Sequence, residues 1–381
     1  MASRGLPRPA ASGAAFDGAR VEVADVEVIA PNFKRRLSGV TSTIVYLIPL
    51  QRRTLGIATV GAGLPEFLPR LRWFQWPALW RRPRRRRFRI WHARRNTEML
   101  AGLLLRDVLR MPMKLVFTSA GQRRHTAYTK WLIRRMDAVI ATSGRSGSFL
   151  DVPHRVIMHG IDLERFHPPS EAADAFRSSG LPGLHGVGCF GRVRPQKGTD
   201  LFVDAMIALL PHYPDWTAIV SGRVTAEHRA FADGLRAKIL AAGLDKRIVF
   251  VGEVDDVAMW IRRMTVLVAP SRNEGFGLTP LEAMASSVAV VASDAGAYAE
   301  LVVPGRTGAV VPAGDGEALA QAVRAYLADP AHAEAHGEAG LAHVGANFPL
   351  EREAAAISEV YEALWSGEPP EASSSAGNDS R

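Results

Sequence analysis

Short apolar runs alternate along most of this chain with stretches in which apolar residues recur every three or four positions. The first pattern is typical of buried strands and the second of helices that cover a sheet. In the first half, the predicted strands are Val26–Ala30, Gly56–Val60, Phe88–His92, Lys114–Thr118, Ala138–Thr142 and Arg155–His159, with helices at Asn96–Arg110 and Thr126–Arg135. In the second half, the predicted strands are Gly186–Phe190, Trp216–Ser221, Ile248–Gly252, Thr265–Ala269 and Val288–Ala292, with helices at Thr199–Leu210, Ala226–Ala242, Pro280–Ser286, Gly316–Ala328 and Glu351–Trp365. This alternation predicts the α/β class, with parallel sheets covered by helices on both faces.

The alternation breaks at a segment rich in proline, glycine and serine, His167–Gly183, which we interpret as a linker. The predicted organisation is a disordered tail, two doubly wound Rossmann-like domains, a final helix and a second disordered tail, at residues 1–20, 21–166, 184–350, 351–366 and 367–381 in that order. Ligands of doubly wound sheets bind beyond the carboxyl ends of the strands, so a cleft between the domains is the expected site.

The length of 381 residues agrees with two domains, and 47% hydrophobic with 22% charged residues is typical of a globular protein. The longest apolar stretch, Gly39–Leu50, is interrupted by hydroxyl residues and is shorter than the roughly 18 residues of a membrane-spanning helix. The N-terminus lacks the apolar core of a secretory signal, and Cys189 is the sole cysteine. These features predict a cytoplasmic protein without disulfides.

The two halves carry opposite net charges. Residues 1–165 contain 30 lysines and arginines and 11 acidic residues, a net charge of +19, whereas residues 166–381 contain 17 and 27, a net charge of −10. The basic half is expected to attract an anionic partner, such as an acidic substrate, a membrane surface or nucleic acid.

Two cations lie in a glycine-flanked turn, Gly191–Gly198, directly after the predicted strand that ends at Phe190. Arginine offers a fork of donors and lysine a point charge, so Arg192 and Lys197 suit a diphosphate. A solvated basic loop explains the same segment equally well.

A second segment, SRNEGFGLTPLEAMA, combines glycines before a helix with two carboxylates eight positions apart. Gly275 and Gly277 allow a close backbone approach to phosphate. Glu274 and Glu282 suit the vicinal hydroxyls of a sugar or ribose. For Glu282 a structural alternative exists, because Thr279 and Glu282 also fit a capping box at the start of the helix.

The two segments resemble the G-R-x4-K-G and E-x7-E motifs of retaining glycosyltransferases with the GT-B fold, the large family four. Further motifs of that family follow in order: FVGEV at Phe250–Val254, SDAGAYAELV at Ser293–Val302 and GRTGAVVPAGD at Gly305–Asp315. The resemblance covers nearly all of residues 186–365. It implies transfer of a sugar from a nucleotide-sugar donor with retention of anomeric configuration.

The resemblance also implies roles for individual residues. Arg192, Lys197 and Glu274 are the predicted catalytic residues: the two cations stabilise the departing diphosphate and the carboxylate contacts hydroxyls of the transferred sugar. Glu282 is expected at the ribose. The other residues expected around the donor are Gly39, Gly191, Glu253, Val254, Gly275, Phe276, Gly277 and Leu278, of which Glu253 and Val254 lie near the base. No D-x-D metal motif stands in a suitable place, so neither a metal nor another cofactor is expected.

Acceptor contacts are predicted from the first half. The family often carries a histidine near the transferred sugar, where this chain has Ala120 in FTSAGQRRH. Arg123, Arg124 and His125 are therefore candidates for contact with the acceptor. His92, at the end of another strand, is a further candidate, although a lone histidine is more often structural.

The strings APNFKRRLSGVTST, WHARRN and HTAYTKWLIRRMDAVIATS are similar to those of bacterial lipopolysaccharide core mannosyltransferases. That resemblance implies GDP-mannose as the donor and an inner-core acceptor containing Kdo, an acidic sugar that suits the basic half. The segment from Trp73 to Arg89 joins tryptophans to an arginine run, which favours peripheral contact with the cytoplasmic face of an anionic membrane. A solvated loop with a few core aromatics is the alternative.

Other functions stay open at this point: transfer from another nucleotide sugar or to another glycan or lipid, epimerisation of a sugar nucleotide in the same fold and, more distantly, nucleic-acid binding. Nucleic-acid binding is disfavoured because the sequence has no zinc-ligand spacing, no RNA-binding aromatic signature and an acidic second half. Dinucleotide redox chemistry is disfavoured because no G-x-G-x-x-G follows the first strand.

Overall fold

The computed structural model describes residues 21–34 and 39–368. The chain divides into two compact units, Met1–Asp162 with Leu350–Arg381 and Leu163–Pro349. The predicted disordered tails lie outside the described residues, apart from Gly367 and Glu368.

The first unit is built on a six-stranded parallel sheet in the order β2-β1-β3-β4-β5-β6. Its strands are Val28–Asn32 (β1), Ile57–Gly61 (β2), Arg89–Ala93 (β3), Met113–Ser119 (β4), Ala138–Ala141 (β5) and Arg155–Val156 (β6). Its first helices are Gly39–Gln51 (α1), Asn96–Leu103 (α2), Ala127–Ile133 (α3) and Gly144–Gly147 (α4). Strands β1 and β3 are buried at every position, as expected for a parallel sheet whose two faces are covered.

The second unit repeats this architecture with the order β12-β11-β10-β7-β8-β9, again all parallel. Its strands are His185–Phe190 (β7), Trp216–Ser221 (β8), Ile248–Gly252 (β9), Val266–Ala269 (β10), Ala289–Ser293 (β11) and Gly308–Val311 (β12). Its helices are Thr199–Leu209 (α5), Arg229–Ala241 (α6), Val257–Arg262 (α7), Thr279–Ala285 (α8), Tyr298–Leu301 (α9), Gly316–Ala328 (α10) and Pro330–Asn347 (α11). The α/β class and the two Rossmann-like sheets predicted from the alternation are confirmed.

The last helix, Leu350–Ser366 (α12), belongs to the first unit. Its buried face, which includes Ile357, Tyr361 and Leu364, packs in one apolar cluster with Ile44 and Leu47 of α1. The first unit is therefore formed by two segments of the chain, and the second unit lies between them in sequence.

The segment interpreted as a linker packs on the second unit. Asp174 forms an ion pair with Arg262 at 2.8 Å, and both side chains are largely buried. Phe176 is buried against the backbone of Gly186 in β7. No helix among the described residues combines the length and apolar character required to cross a membrane.

Candidate functional site

The loop after β7 is held against the loop after β10, its neighbour in the sheet. Gly198 has φ +68°, and a Cβ there would lie 1.9 Å from the carbonyl oxygen of Pro270, so only glycine permits this approach. Arg272 reinforces the contact, because its amide donates to the carbonyl of Gln196 at 2.9 Å and its guanidinium forks onto Asp200 at 2.7 Å. The two motifs recognised in the sequence are therefore joined into one structure.

Lys197 and Glu274, 77 positions apart, form an ion pair at this junction. Their side chains are 18% and 16% exposed, so the pair is shielded but reachable. One carboxylate oxygen of Glu274 also accepts the Gly275 amide at 3.1 Å, and the other lies 3.4 Å from the hydroxyl of Tyr298. Two of the three predicted catalytic residues are thus brought together, with the carboxylate held from three sides.

Tyr298 is a site residue to which the sequence reasoning assigned no role. It is 1% exposed, and burial together with the charge of Glu274 raises the pKa of its hydroxyl well above the ordinary value of 10. It therefore stays a neutral hydrogen-bond donor. Gly277 makes room for it, because a Cβ at that residue (φ +84°) would lie 2.3 Å from the tyrosine ring. The signal was present in SDAGAYAELV, but nothing in the spacing showed that this residue reaches Glu274.

The capping-box alternative for Glu282 is wrong. Helix α8 begins at Thr279 after Leu278, and no side chain caps its first turn. Glu282 is half-buried, and burial raises its pKa, an effect opposed by the charges of Arg165 and Lys197. The carboxylate therefore lies within the field of the same lysine that pairs with Glu274.

The remaining predicted donor residues of the second unit line the same edge of the sheet. The Gly191 amide donates to the carbonyl of Ser221 at 2.9 Å, which places Arg192, an exposed residue, directly beyond β7. Glu253 is exposed and Val254 half-buried, immediately after β9, on the far side of β8.

The loop before α8 supplies backbone groups. Phe276 is 5% exposed, and its carbonyl accepts the amide of Ala297 at 3.2 Å, which anchors the loop to the segment after β11. Phe276 is flanked by Gly275 on one side and by Gly277 and Leu278 on the other, and Leu278 directly precedes α8. The first backbone amides of a helix have no acceptor within the helix, so those of α8 can bind a ligand.

Asp255 and Asp256 form an acidic pair after β9, and Asp256 has a structural role. Its carboxylate accepts the amides of Ala258 and Met259 at 3.0 and 3.1 Å and caps α7. One oxygen of this carboxylate, Oδ1, is therefore engaged with the backbone.

The predicted acceptor residues belong to the first unit, and the structure gives His92 a packing role. The ring is fully buried, with Nδ1 2.6 Å from the hydroxyl of Tyr361 and Nε2 2.6 Å from that of Thr118. Burial, and then the charge of Arg94, lowers its pKa well below 6.5. A neutral imidazole with both nitrogens engaged has no group left for direct contact with an acceptor.

The other predictions for the first unit lie outside its strands. Arg123 and Arg124 are exposed in the loop after β4, and His125 is half-buried, with a pKa lowered by burial and by Arg123. Gly39 begins α1, while the loop residues before it, 35–38, lie outside the described residues.

The second unit thus offers two cations, two carboxylates and a glycine-rich backbone at one carboxyl edge of a parallel sheet. Cations and helix-start amides neutralise a diphosphate, and carboxylates accept hydrogen bonds from hydroxyls. This is the chemistry of a site for a nucleoside diphosphate that carries a sugar.

Comparison with known proteins places the chain. The family model of glycosyl transferases group 1 matches residues 185–329. The lipopolysaccharide core biosynthesis mannosyltransferase LpcC of Rhizobium leguminosarum bv. viciae is 70% identical over 344 residues, 90% of this chain and 98% of that protein. The corresponding enzyme LpsB of Rhizobium meliloti (strain 1021) is 56% identical over 349 residues, 90% of this chain and 99% of that one. In fold, the chain is similar to Anabaena HepE in complex with UDP, with a TM-score of 0.77 at 19% identity, covering 89% of this chain and 100% of that one.

The chain therefore belongs to the group 1 glycosyltransferases, enzymes with two Rossmann-like domains in the GT-B fold. Within that family it groups with the lipopolysaccharide core biosynthesis mannosyltransferases. The resemblance drawn from the motifs is confirmed.

Proposed function

We propose that this glycosyltransferase moves mannose from GDP-mannose to a Kdo-containing inner-core acceptor of lipopolysaccharide, with retention and without a metal ion. The observation that carries the proposal is the shielded Lys197–Glu274 pair at the carboxyl edge of the second sheet. The printed names of the two rhizobial relatives, which match along nearly their whole length, support mannose as the sugar.

The pair explains how the site accepts a donor. Before the donor binds, Glu274 neutralises Lys197. A diphosphate gives Lys197 a second anion, and the carboxylate, still held by Tyr298 and the Gly275 amide, can then accept hydroxyls of the transferred sugar. Arg192 adds a second cation where charge accumulates as the anomeric bond breaks. Fixed cations such as these can neutralise the charge of the departing diphosphate, which in other transferases is neutralised by a metal ion.

Retention fits a front-face reaction. The acceptor hydroxyl attacks the anomeric carbon on the side from which the diphosphate departs, and the departing phosphate oxygen takes the hydroxyl proton. The neutral hydroxyl of Tyr298 donates to the Glu274 carboxylate and so helps to hold it in position beside the sugar.

The test is nucleotide release by the purified protein in EDTA with a panel of GDP- and UDP-sugars, with and without a Kdo-containing lipid acceptor. We expect GDP release that requires both GDP-mannose and the acceptor. Turnover of a different donor would overturn the mannose assignment, a requirement for added metal would overturn metal independence, and interconversion of the donor without release would indicate an epimerase.

We also propose that the enzyme contacts an anionic membrane through an aromatic–arginine surface on the first unit. The turn Trp73–Trp80 exposes Trp73 by 84% and Phe74 by 56%. The indole of Trp80 donates to the carbonyl of Leu109 at 2.7 Å, which joins this turn to the exposed Val108 at the end of the π-helical segment Leu104–Val108 that follows α2. Aromatic rings beside cations suit the interface of a bilayer with anionic lipid.

The arginine run contributes less to this surface than its sequence implies. Arg89 is 1% exposed and donates to backbone carbonyls, and Arg84 and Arg86 form ion pairs with acidic residues of the first unit. The cations that remain exposed without such tasks in the described structure are Arg81, Arg82, Arg85 and Arg87. Four cations within a Debye length of a bilayer still favour binding at low salt.

Flotation with liposomes that contain anionic lipid tests the surface. We expect binding at low ionic strength that falls with salt and is lost in a Trp73→Ser, Phe74→Ser variant. Equal flotation of this variant and the wild type would place the contact elsewhere, and failure of the wild type to float would discard the membrane proposal.

A further inference from the structure

Arg94 lies at the point where the strand order of the first sheet reverses. It follows β3 directly, and β1 lies between β3 and β2. At such a point the loops leave towards opposite faces of the sheet and open a crevice at the carboxyl ends of the strands. Arg95 ties the two strand ends together, because its guanidinium donates to the Asn32 side chain at 2.8 Å and to Glu98 at 2.7 Å.

Arg94 differs from the structural arginines of this chain in its hydrogen bonds. Arg89, at the other end of the same strand, donates to four backbone carbonyls at 2.5 to 3.2 Å, and Arg247 in the second unit likewise donates to backbone carbonyls. Within the described part of the chain, the guanidinium of Arg94 donates one hydrogen bond, to the carbonyl of His92 at 3.3 Å. A guanidinium has five donors, so most of those of Arg94 are available to a ligand.

The nearby carboxylates do not fill these donors. Glu98 is fully buried and accepts the Arg95 side chain and the backbone amide of Arg94. Glu353 is 5% exposed and accepts the His159 ring at 2.7 Å and a backbone amide at 2.8 Å. Arg94 itself is half-buried. Burial lowers its pKa, Tyr361 and the two carboxylates oppose that effect, and the charge of Arg95 adds to it. The field of the two carboxylates therefore stabilises the Arg94 cation, but in the described structure their oxygens do not accept hydrogen bonds from its guanidinium.

We propose that Arg94 binds the carboxylate of the acidic sugar in the acceptor and so determines specificity for an acidic acceptor; this rests on the proposed function. The planar fork of a guanidinium matches a carboxylate with two parallel hydrogen bonds. Arg94 and Arg95 carry two positive charges and Glu98 and Glu353 two negative ones, so the cluster is neutral overall. A monoanion is accommodated there more readily than a doubly charged phosphate, which the two carboxylates would repel.

The test compares Arg94→Gln with Arg53→Gln, a variant that removes the same charge from an exposed site on the same unit. Each is assayed with the acceptor carrying its free carboxylate and with its methyl ester. For the free acid, Arg94→Gln should lower kcat/KM by roughly tenfold to a hundredfold through the acceptor KM, as expected for a lost charge-assisted hydrogen bond. The donor KM and acceptor-independent donor hydrolysis should not change, and the methyl ester should be used equally by Arg94→Gln and the wild type.

Equal losses on the free acid and the ester, or no loss on either, would overturn the proposal, and a loss that follows the acceptor's phosphates instead of its carboxylate would reassign the ligand. If Arg94→Gln does not fold by circular dichroism, Arg94→Lys keeps the charge without the fork and should show a smaller loss confined to the free acid. Binding of Kdo and its methyl ester to the wild type, followed by NMR, separates this proposal from the proposed function. If the enzyme is inactive but binds Kdo and not the methyl ester, only the proposed transfer reaction is contradicted. If it binds the two sugars equally, the proposed role of Arg94 is contradicted.

Discussion

Replacing Lys197 by alanine tests the donor site of the second unit most sharply. The ammonium pairs with Glu274, and both side chains are more than four-fifths shielded from solvent. The substitution removes the cation that we place on the diphosphate and leaves the carboxylate without its partner. Both effects act on the part of the donor that reacts, the diphosphate and the transferred sugar.

The size of the effect follows from Coulomb's law. A cation about 4 Å from a phosphate oxygen contributes roughly 4 kcal/mol at an effective dielectric constant near 20. Part of that attraction acts equally on the bound donor, and the remainder acts on the charge that develops as the bond breaks. If about 2.7 kcal/mol is specific to the transition state, turnover falls about a hundredfold. We expect a loss of kcat of at least that size in Lys197→Ala.

The assay measures initial rates at saturating donor and acceptor, with a thermal melt to establish folding. Lys238→Ala is the matched control, because Lys238 also pairs with an acidic residue of the second unit, Asp204, at 2.6 Å, but both side chains are more than half exposed. Exposed pairs contribute little, so the control should retain wild-type turnover. A folded Lys197→Ala enzyme with kcat within about threefold of the wild type would refute the role of Lys197.

Three further outcomes follow from the packing. Gly277→Ala should destabilise the second unit by about 1–3 kcal/mol and abolish transfer, because the added methyl would lie 2.3 Å from the Tyr298 ring at φ +84°; an unchanged melt with normal turnover would contradict this. Arg89→Met should destabilise the first unit by about 3 kcal/mol, measured by chemical denaturation, because four backbone carbonyls lose their donor; the exposed Arg87→Met is the control and should be near neutral. Because burial lowers the pKa of His92 below 6.5, protonation favours the unfolded state, so its contribution to stability is present above that pH and is lost as the pH falls below it. Denaturation from pH 7.5 to 5 should therefore show a smaller loss of stability in His92→Gln than in the wild type; parallel losses would mean that His92 titrates normally.

The strands were largely predictable from sequence because a buried parallel strand is a continuous apolar run between turn residues. Trp216–Ser221 and Ile248–Gly252 were predicted with the bounds that the structure shows. Helix α11, Pro330–Asn347, was missed because its buried face consists largely of small residues such as Gly337 and Gly340. A Cβ at Gly337 would lie 2.2 Å from a backbone oxygen, so this helix packs by close approach and not by large apolar side chains. Helix α1 was missed because β-branched residues and Pro49 obscure its period.

The candidate site, like the fold, has parts that the sequence predicted and parts that it did not. The motifs predicted that Lys197 and Glu274 belong to one site, but not that they pair with each other before a donor is bound. Tyr298 and Arg94 escaped notice because their importance comes from contacts that the topology creates. Tyr298 reaches Glu274 from the next strand end, and Arg94 is set apart by the hydrogen bonds that its guanidinium does not make within the described residues.

The most direct test of the central claim is to isolate the product of the purified enzyme with GDP-mannose and the Kdo-containing acceptor in EDTA, and to determine its mass and anomeric configuration by NMR. We predict a product heavier by one hexose, with mannose attached in the α configuration of the donor. A β-linked product would contradict retention, and an acceptor of unchanged mass would contradict the assignment of this chain as a mannosyltransferase of that acceptor.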